Sequence, residues 1–369
     1  MLTRIYADNF KALVNFEFRP GGLNLLMGQN GSGKTSVFDV LLRIKDLVLL
    51  GFPAADVFAH TRTRWDRRDL QSFEIEIDRG GGVFRYRLEI EQPPKSVEKA
   101  SIRTESLTFD GATLYRYSGG EAQLFHEGNE PPVVFPFAPD RSFLQNVDAV
   151  RSPKLSHLAE FKSFLAGLWI LQPNPFAMAP LAEHEQPFLA ADGKNLASYF
   201  NFLNNERPEV RAQLEDALKH ALPGFLRFSF RRLGDKKLFL TAFDFEASGE
   251  ATELGLAELS EGQRVLILLY AAVLGLAQSG GLVCFDEPDN FVSLVEIQPW
   301  LQLLRDTIDS RGGQAMVISH HPEVMDYLAL DSVWHLDRPS GPVRVRELDP
   351  RPAADVEALK LSELVARGI

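Results

Sequence analysis

Between Leu23 and Leu50 the chain passes from a short apolar segment, Leu-Asn-Leu-Leu-Met, through Gly28-Gln29-Asn30-Gly31-Ser32-Gly33-Lys34-Thr35 into a stretch that is apolar at helical spacing. That order predicts a buried strand, a glycine-rich turn and a helix, and the middle residues match G-x-x-x-x-G-K-[ST]. Such a loop needs glycine because its backbone N–H groups must turn inward around phosphate oxygens, at angles a Cβ would obstruct. The N-terminus of the following helix adds partial positive charge. Gly28, Asn30, Gly31, Ser32, Gly33, Lys34, Thr35 and Ser36 are therefore the candidate binders of a nucleotide. Lys34 is expected against the β- and γ-phosphates, and the Thr35 hydroxyl as a ligand of Mg²⁺.

A second feature lies far downstream, where the apolar run Leu282-Val283-Cys284-Phe285 ends in Asp286-Glu287-Pro288. It reads as a central strand delivering two carboxylates to the carboxyl edge of a sheet, where ligands of such sheets bind. Asp286 would hold Mg²⁺ directly or through water, and Glu287 would orient and deprotonate an attacking water. Taken alone, the same pattern also describes a solvated acidic turn; the phosphate loop favours the chemical reading.

The rest of the chain supports a soluble α/β protein. Its 369 residues, 45% hydrophobic and 24% charged, exclude disordered and collagenous classes and suffice for about two or three domains. Cys284 alone can form neither an internal disulfide nor a cysteine zinc cluster, which fits a reducing cytoplasm. No signal-peptide h-region opens the sequence and no membrane-length apolar window follows, so a cytoplasmic protein without a membrane partner is expected. A net charge of -11 argues against attachment to nucleic acid by bulk positive charge.

Periodicity predicts edge strands over 2–18, a hairpin over Phe73 to Ile90 around Gly80-Gly81-Gly82, and a second hairpin over 101–127. Helical spacing marks 155–168 and 195–222, interrupted by a proline-rich stretch at 173–187. Strands return over 227–245, and from Leu259 onward helix and strand alternate, as a buried parallel sheet requires. This divides the chain into an N-terminal lobe with the phosphate loop (1–139), a helical insertion (140–225), a C-terminal lobe (226–345) and a tail helix (346–369).

Leu259-Ser260-Glu261-Gly262-Gln263-Arg264 precedes a long apolar helix, and Asp286 follows Ser260 by 26 residues. Read by itself, Ser260 with Gln263 has capping-box spacing and marks a helix start. In this order, after the phosphate loop and before the acidic strand, the chain resembles the ABC-type ATPases, whose signature is close to L-S-G-G-Q. Asp289 to Leu294 stands where that family has its D-loop, and Ile318-Ser319-His320-His321-Pro322 where it has its switch histidine. The resemblance aligns His320 by its place directly after Ser319, and His321 reads as an ordinary surface histidine. The opening Asn9-Phe10-Lys11 and the 226 residues between Lys34 and Ser260 look like the RecF, SMC and overcoming-lysogenisation-defect side of the family. No heptad pattern is sustained, so this resembles a compact head without a coiled coil.

The resemblance implies an ABC ATPase head: a parallel phosphate-loop sheet, an N-terminal antiparallel β-rich lobe and a helical insertion, with ATP and Mg²⁺ as cofactors. It implies a homodimer on ATP binding, in which Ser260 of one subunit meets the γ-phosphate held by the other. Glu287, His320, Lys34 and Ser260 are then the expected catalytic residues, and Thr35 and Asp286 the metal ligands. Lys11 is expected near phosphate, and Gln145, with Gln71 second, as the Q-loop glutamine. Glu261 departs from the family pattern, where glycine is commoner, and residues 290–294 are not a close D-loop match.

Three basic clusters could contact DNA: Arg62, Arg64, Arg67 and Arg68; Arg151, Lys154 and Lys162; and Arg227, Arg231, Arg232, Lys236 and Lys237. No effector motif accompanies them. The expectation is a motor or sensor that controls a separate effector, such as a nuclease, in anti-phage defence. The alternatives are a RecF-like DNA repair ATPase and the ATP subunit of an ABC transporter.

Overall fold

The computed structural model describes residues 1–93, 100–126, 131–245, 249–329, 331–348 and 360–366. They form two compact units, Met1–Leu168 with Ser332–Asp349, and Trp169–Asp331 with Pro350–Ile369.

The first unit opens with β1 (Leu2–Asp8) and β2 (Phe16–Phe18), then β3 (Leu23–Met27), every residue of which is buried. The phosphate-loop turn leads into α1 (Lys34–Lys45), which continues as a π-helical turn, Asp46–Leu50, closed by Gly51 in the left-handed region. After the short α2 (Ala54–Val57) come β4 (Leu70–Asp78) and β5 (Val83–Glu91). The stretch expected as one further hairpin instead supplies β6 (Ser101–Phe109), β7 (Ala112–Ser118) and β8 (Glu121–Leu124); its last residue, 127, lies outside the described residues. β9 (Val133–Pro136) follows, and α3 (Ser156–Ala166) ends this part.

Eight of these strands form one antiparallel sheet in the order β2-β1-β4-β5-β6-β7-β8-β9. Alternation dictates its two faces. Phe73, Ile75, Ile77, Phe84, Tyr86 and Leu88 point inward, where Phe161 of α3 stacks on Tyr86 at 5.5 Å. On the other face Glu74 sits opposite Arg87 and Glu76 opposite Arg85, and both pairs are bridged, at 3.0 and 2.8 Å. One carboxylate is buried on the inner side: Glu105 accepts from Tyr86 (2.8 Å), Ser142 (2.8 Å) and Tyr115 (3.1 Å). Burial pushes its pKa up to about 6 against those three donors.

The second unit contains β10 (Leu168–Leu171), β11 (Leu181–Ala182), α4 (Leu196–Glu206), α5 (Pro208–Ala221) and the strands β12 (Phe225–Leu233), β13 (Lys236–Phe243) and β14 (Thr252–Gly255). Segment 140–225, expected as one helical insertion, is thus shared by both units and carries strands as well as helices. Phe200 of α4 packs against Phe228 (4.5 Å) and Phe239 (4.8 Å) of the β12–β13 hairpin. Next come α6 (Glu261–Ser279), β15 (Leu282–Asp286), α7 (Leu294–Arg311), β16 (Gln314–Ile318) and α8 (Pro322–Leu328). β15 and β16 run parallel with every residue buried, and Val265 to Val273 of α6 are buried all round the helix. A helix apolar on every side must lie inside the protein.

The chain then re-enters the first unit as β17 (Ser332–Asp337) and β18 (Arg344–Leu348), with β17 parallel to β3 and antiparallel to β18. Within the expected tail, α9 (Leu361–Ala366) is described and docks in the second unit, where Ser362 bonds Asp326; residues 349–359 and 367–369 lie outside the described residues. Among the described residues no helix is long and apolar enough to cross a membrane.

Candidate functional site

In the first unit β3 delivers the phosphate loop. Gly28, Gly31 and Gly33 have φ of +146°, +78° and +98°, a region that disfavours every residue with a Cβ. At Gly28 a Cβ would also sit 2.1 Å from the carbonyl oxygen of Leu336, and at Gly33 2.7 Å from Val343, so the β17–β18 hairpin closes directly on the loop. Gly31 has nothing within 4 Å, and its glycine answers to φ alone.

Lys34 is nearly buried, and its ammonium donates to the carbonyls of Gly28 (2.8 Å) and Gln29 (3.1 Å). Gln29, Asn30, Gly31 and Thr35 are exposed, and Ser36 is half-buried. Two observations fit a bound anion. Ser32 Oγ is buried with no partner among the described residues, and α1, with Gly33 as its N-cap, has no side-chain cap and no acidic residue in its first turn.

The opening motif braces this region. Lys11, at φ +51°, ion-pairs with Asp39 on α1, and its N–H donates to Thr61 O at 2.5 Å. Asn9, fully buried at φ +58°, uses Nδ2 to hold the carbonyls of Arg68 (3.0 Å) and Leu70 (2.8 Å). Gln71 is buried, accepting from Thr61 Oγ1 (2.9 Å) and donating to Gln92 (3.1 Å). Gln145 presses its amide against Gly51, where a Cβ would lie 1.3 Å from Oε1.

In the second unit β15 ends at Asp286, which is 5% exposed. Glu287 then turns into the left-handed region (φ +50°) while its N–H still bonds Ile318 O at 2.9 Å, extending the pairing with β16. Pro288 disfavours right-handed helix at the residue before it. Oε2 of the Glu287 carboxylate accepts from Asn290 Nδ2 at 2.8 Å, and Oε1 lies 3.8 Å from His320 Nε2, beyond hydrogen-bond reach. His321 does different work. Its ring accepts from Glu323 N at 3.3 Å and caps α8. Asp289 is pushed up by burial, opposed by a hydrogen bond from Ser319, whose hydroxyl also accepts from His321 N at 3.0 Å.

Ser260 and Gln263 form the capping box reciprocally: Gln263 N donates to Ser260 Oγ (3.2 Å) and Ser260 N to Gln263 Oε1 (3.0 Å). The serine is exposed at the mouth of α6. Gly262 sits so close to Phe291 O that a Cβ would lie 2.8 Å away, tying the helix start to the 289–293 turn. Glu261, where the resembling family commonly has glycine, lies 3.5 Å from Arg264, whose Nη1 donates to Pro175 O at 2.8 Å.

Most members of the basic clusters have partners. Arg68 pairs with Asp8 and Asp66, Arg151 with Asp148, Arg231 with Glu253 and Lys236 with Glu183. Lys162 donates to two backbone carbonyls, and Lys237 to Asn201. Sequence reasoning missed Asn9 as a clamp, Asp39 as the partner of Lys11, and the Ser319–Asp289 bond. Only the Asn-Phe-Lys run carried a signal for the first, because an Asn tolerates positive φ.

The model of one protein family, described as "AAA domain, putative AbiEii toxin, Type IV TA system", matches residues 23–326. Among curated proteins, protein ea59 of Escherichia phage lambda is 25% identical over 83 residues, covering 22% of this chain and 16% of that protein. Among solved structures, an SMC head bound to the C-winged helix domain of ScpA has a TM-score of 0.58 at 13% identity, covering 94% of this chain and 98% of that one. An SMC head with an extended coiled coil bound to the C-terminal domain of ScpA, derived from Pyrococcus furiosus, has a TM-score of 0.52 at 11% identity, covering 99% and 98%. The α/β fold is that of the SMC heads, as the motif order implied.

Proposed function

The chain belongs to this family of AAA domains, and we propose that it is an ATP hydrolase whose ATP-dependent pairing with a second copy controls a separate effector, such as a nuclease, in anti-phage defence. The observation that carries hydrolysis is Glu287, turned into the left-handed region at a strand end, with one carboxylate oxygen fixed by Asn290 and the other 3.8 Å from His320. A carboxylate fixed in this way can accept a proton from water without first reorganising.

The loop N–H groups and Lys34 bind and orient the triphosphate, as the orphaned Ser32 hydroxyl and the uncapped α1 support. Thr35 in the first unit is the proposed Mg²⁺ ligand of the phosphate loop, and the ion when bound neutralises phosphate charge; Asp286 is the metal ligand proposed in the second unit. Glu287 takes the proton of the attacking water, and His320 hydrogen-bonds the γ-phosphate. Ser260 of the second copy, at an exposed helix N-terminus, completes the cradle. ATP and water yield ADP and phosphate.

The family description names a putative AbiEii toxin and a type IV toxin–antitoxin system, which supports a place in defence; the separate effector is part of the proposal. DNA is a proposed partner. Among the described residues Arg64, Arg67 and Arg227 form no ion pair and are its candidate contacts. The test is phosphate release from Mg-ATP by the purified protein and by Lys34→Ala. Turnover in the first and none in the second supports hydrolysis at this loop; equal release by both contradicts it.

A further inference from the structure

The backbone pairing of β15 with β16 ends where Glu287 N donates to Ile318 O at 2.9 Å. His320 lies two residues beyond Ile318, so the strand register sets its level and the turn that carries it sets its direction. Glu287 does not supply that direction through a hydrogen bond, because 3.8 Å from Oε1 to His320 Nε2 is beyond reach of one.

The turn is built on Ser319, which is fully buried. Its hydroxyl accepts from His321 N at 3.0 Å, so a side-chain bond spans His320 from the residue before it to the residue after it. A hydroxyl has one proton to donate and lone pairs with which to accept, and it rotates to suit both. Here the proton goes to the carboxylate of Asp289, in the turn that follows β15. With the proton committed to that side, the lone pairs are left for His321 N. The other Asp289 oxygen, Oδ1, is buried with no hydrogen-bond partner among the described residues. An unpaired buried oxygen disfavours the folded state, so stability alone does not account for a carboxylate at this position.

Asp289 is two residues after Glu287, and Ser319 is one residue before His320. Their bond therefore joins the two turns on which the proposed chemistry of this unit stands. We propose that Asp289 and Ser319 are positioning residues for hydrolysis: Asp289 orients the Ser319 hydroxyl, and the hydroxyl holds the backbone on either side of His320 so that its ring keeps its place beside Glu287. This rests on the reading of Glu287 and His320 above and extends it to the residues that aim the histidine.

The experiment measures steady-state phosphate release over a range of Mg-ATP concentrations, with a thermal melt of each protein. The proteins are wild type, Asp289→Ala, Ser319→Ala, the double alanine variant, Asp289→Asn, His320→Ala and Asp289→Ala/His320→Ala. Each single alanine substitution at 289 or 319 should lower kcat about tenfold with KM for ATP unchanged, since a misplaced group costs rate rather than binding. The double alanine variant leaves neither partner buried without the other, which protects the fold, and should lose no more than either single variant. Asp289→Asn retains an acceptor for the hydroxyl and should recover most of what Asp289→Ala loses. In the His320→Ala background Asp289→Ala should add nothing, whereas a residue that only supports the fold would lower turnover further. Normal kcat in the double alanine variant, or a loss from Asp289→Ala that persists undiminished without His320, overturns the positioning role and leaves His320 as read. Normal turnover in His320→Ala, or a wild type that releases no phosphate, overturns the reading beneath it and the positioning role together.

Discussion

His320 Nε2 lies 3.8 Å from Glu287 Oε1, while Glu287 Oε2 accepts from Asn290 at 2.8 Å. The two residues leave adjacent parallel strands, β15 and β16, at the same level, because Asp286 pairs with Ile318. Their meeting is thus a consequence of register. The neighbouring His321, read from the sequence as an ordinary surface histidine, caps α8.

Glu287→Gln should keep ATP binding and lower turnover by about a hundredfold or more, since the amide cannot accept the proton. His320→Ala should cost less, because it removes a contact to the phosphate and leaves the base in place. Steady-state phosphate release beside nucleotide binding measures both; normal turnover in Glu287→Gln removes that residue as the base.

The same glutamate sits in an unfavourable backbone region. Glycine adopts φ +50° without a Cβ penalty, so Glu287→Gly should gain about 1 kcal/mol in stability while losing turnover. Chemical denaturation reads the first effect and phosphate release the second. A less stable Glu287→Gly protein would mean that the side-chain contacts outweigh the backbone strain.

Gly262→Ala would force a Cβ to 2.8 Å from Phe291 O, a backbone atom that cannot rotate away. The expected cost is about 1–3 kcal/mol of stability, with displacement of the 289–293 turn. A thermal melt indistinguishable from wild type would show that the turn yields freely.

Glu105 makes stability depend on pH in a definite sense. Its pKa is raised by burial to about 6 from the usual 4.5, so the folded chain holds a proton that the unfolded chain releases first. This contribution is fully present below about pH 4.5 and is lost as pH rises through 6, amounting to about 2 kcal/mol. Urea denaturation at pH 4.5, 6 and 7 of wild type and Glu105→Gln should show that part of the pH dependence removed in the variant. An identical pH dependence in both would contradict the assignment.

The phosphate loop was legible because its chemistry leaves few residue choices: positive φ at Gly28, Gly31 and Gly33 admits little but glycine. The acidic strand end was legible because a strand buried on both faces must be uniformly apolar until it emerges. The four-stranded run β6 to β9 was not, since Ser101 to Phe137 offers weak alternation broken by short turns such as Asp110-Gly111. Nor was the return of β17 beside β3, a pairing between residues more than 300 positions apart that no local pattern encodes. The basic clusters misled for a related reason. Arg231 and Lys236 look unpaired along the sequence, and their partners Glu253 and Glu183 arrive from other elements.

If ATP joins two copies through Ser260, exposed at the start of α6, the mass of the protein must respond to nucleotide. Light scattering of Glu287→Gln, with and without Mg-ATP, tests it most directly, with Glu287→Gln/Ser260→Arg measured alongside. The mass should double with Mg-ATP in the first protein and stay at that of one chain in the second, although both bind nucleotide. A mass that does not respond to bound ATP, or that doubles equally in the Ser260→Arg protein, would contradict it.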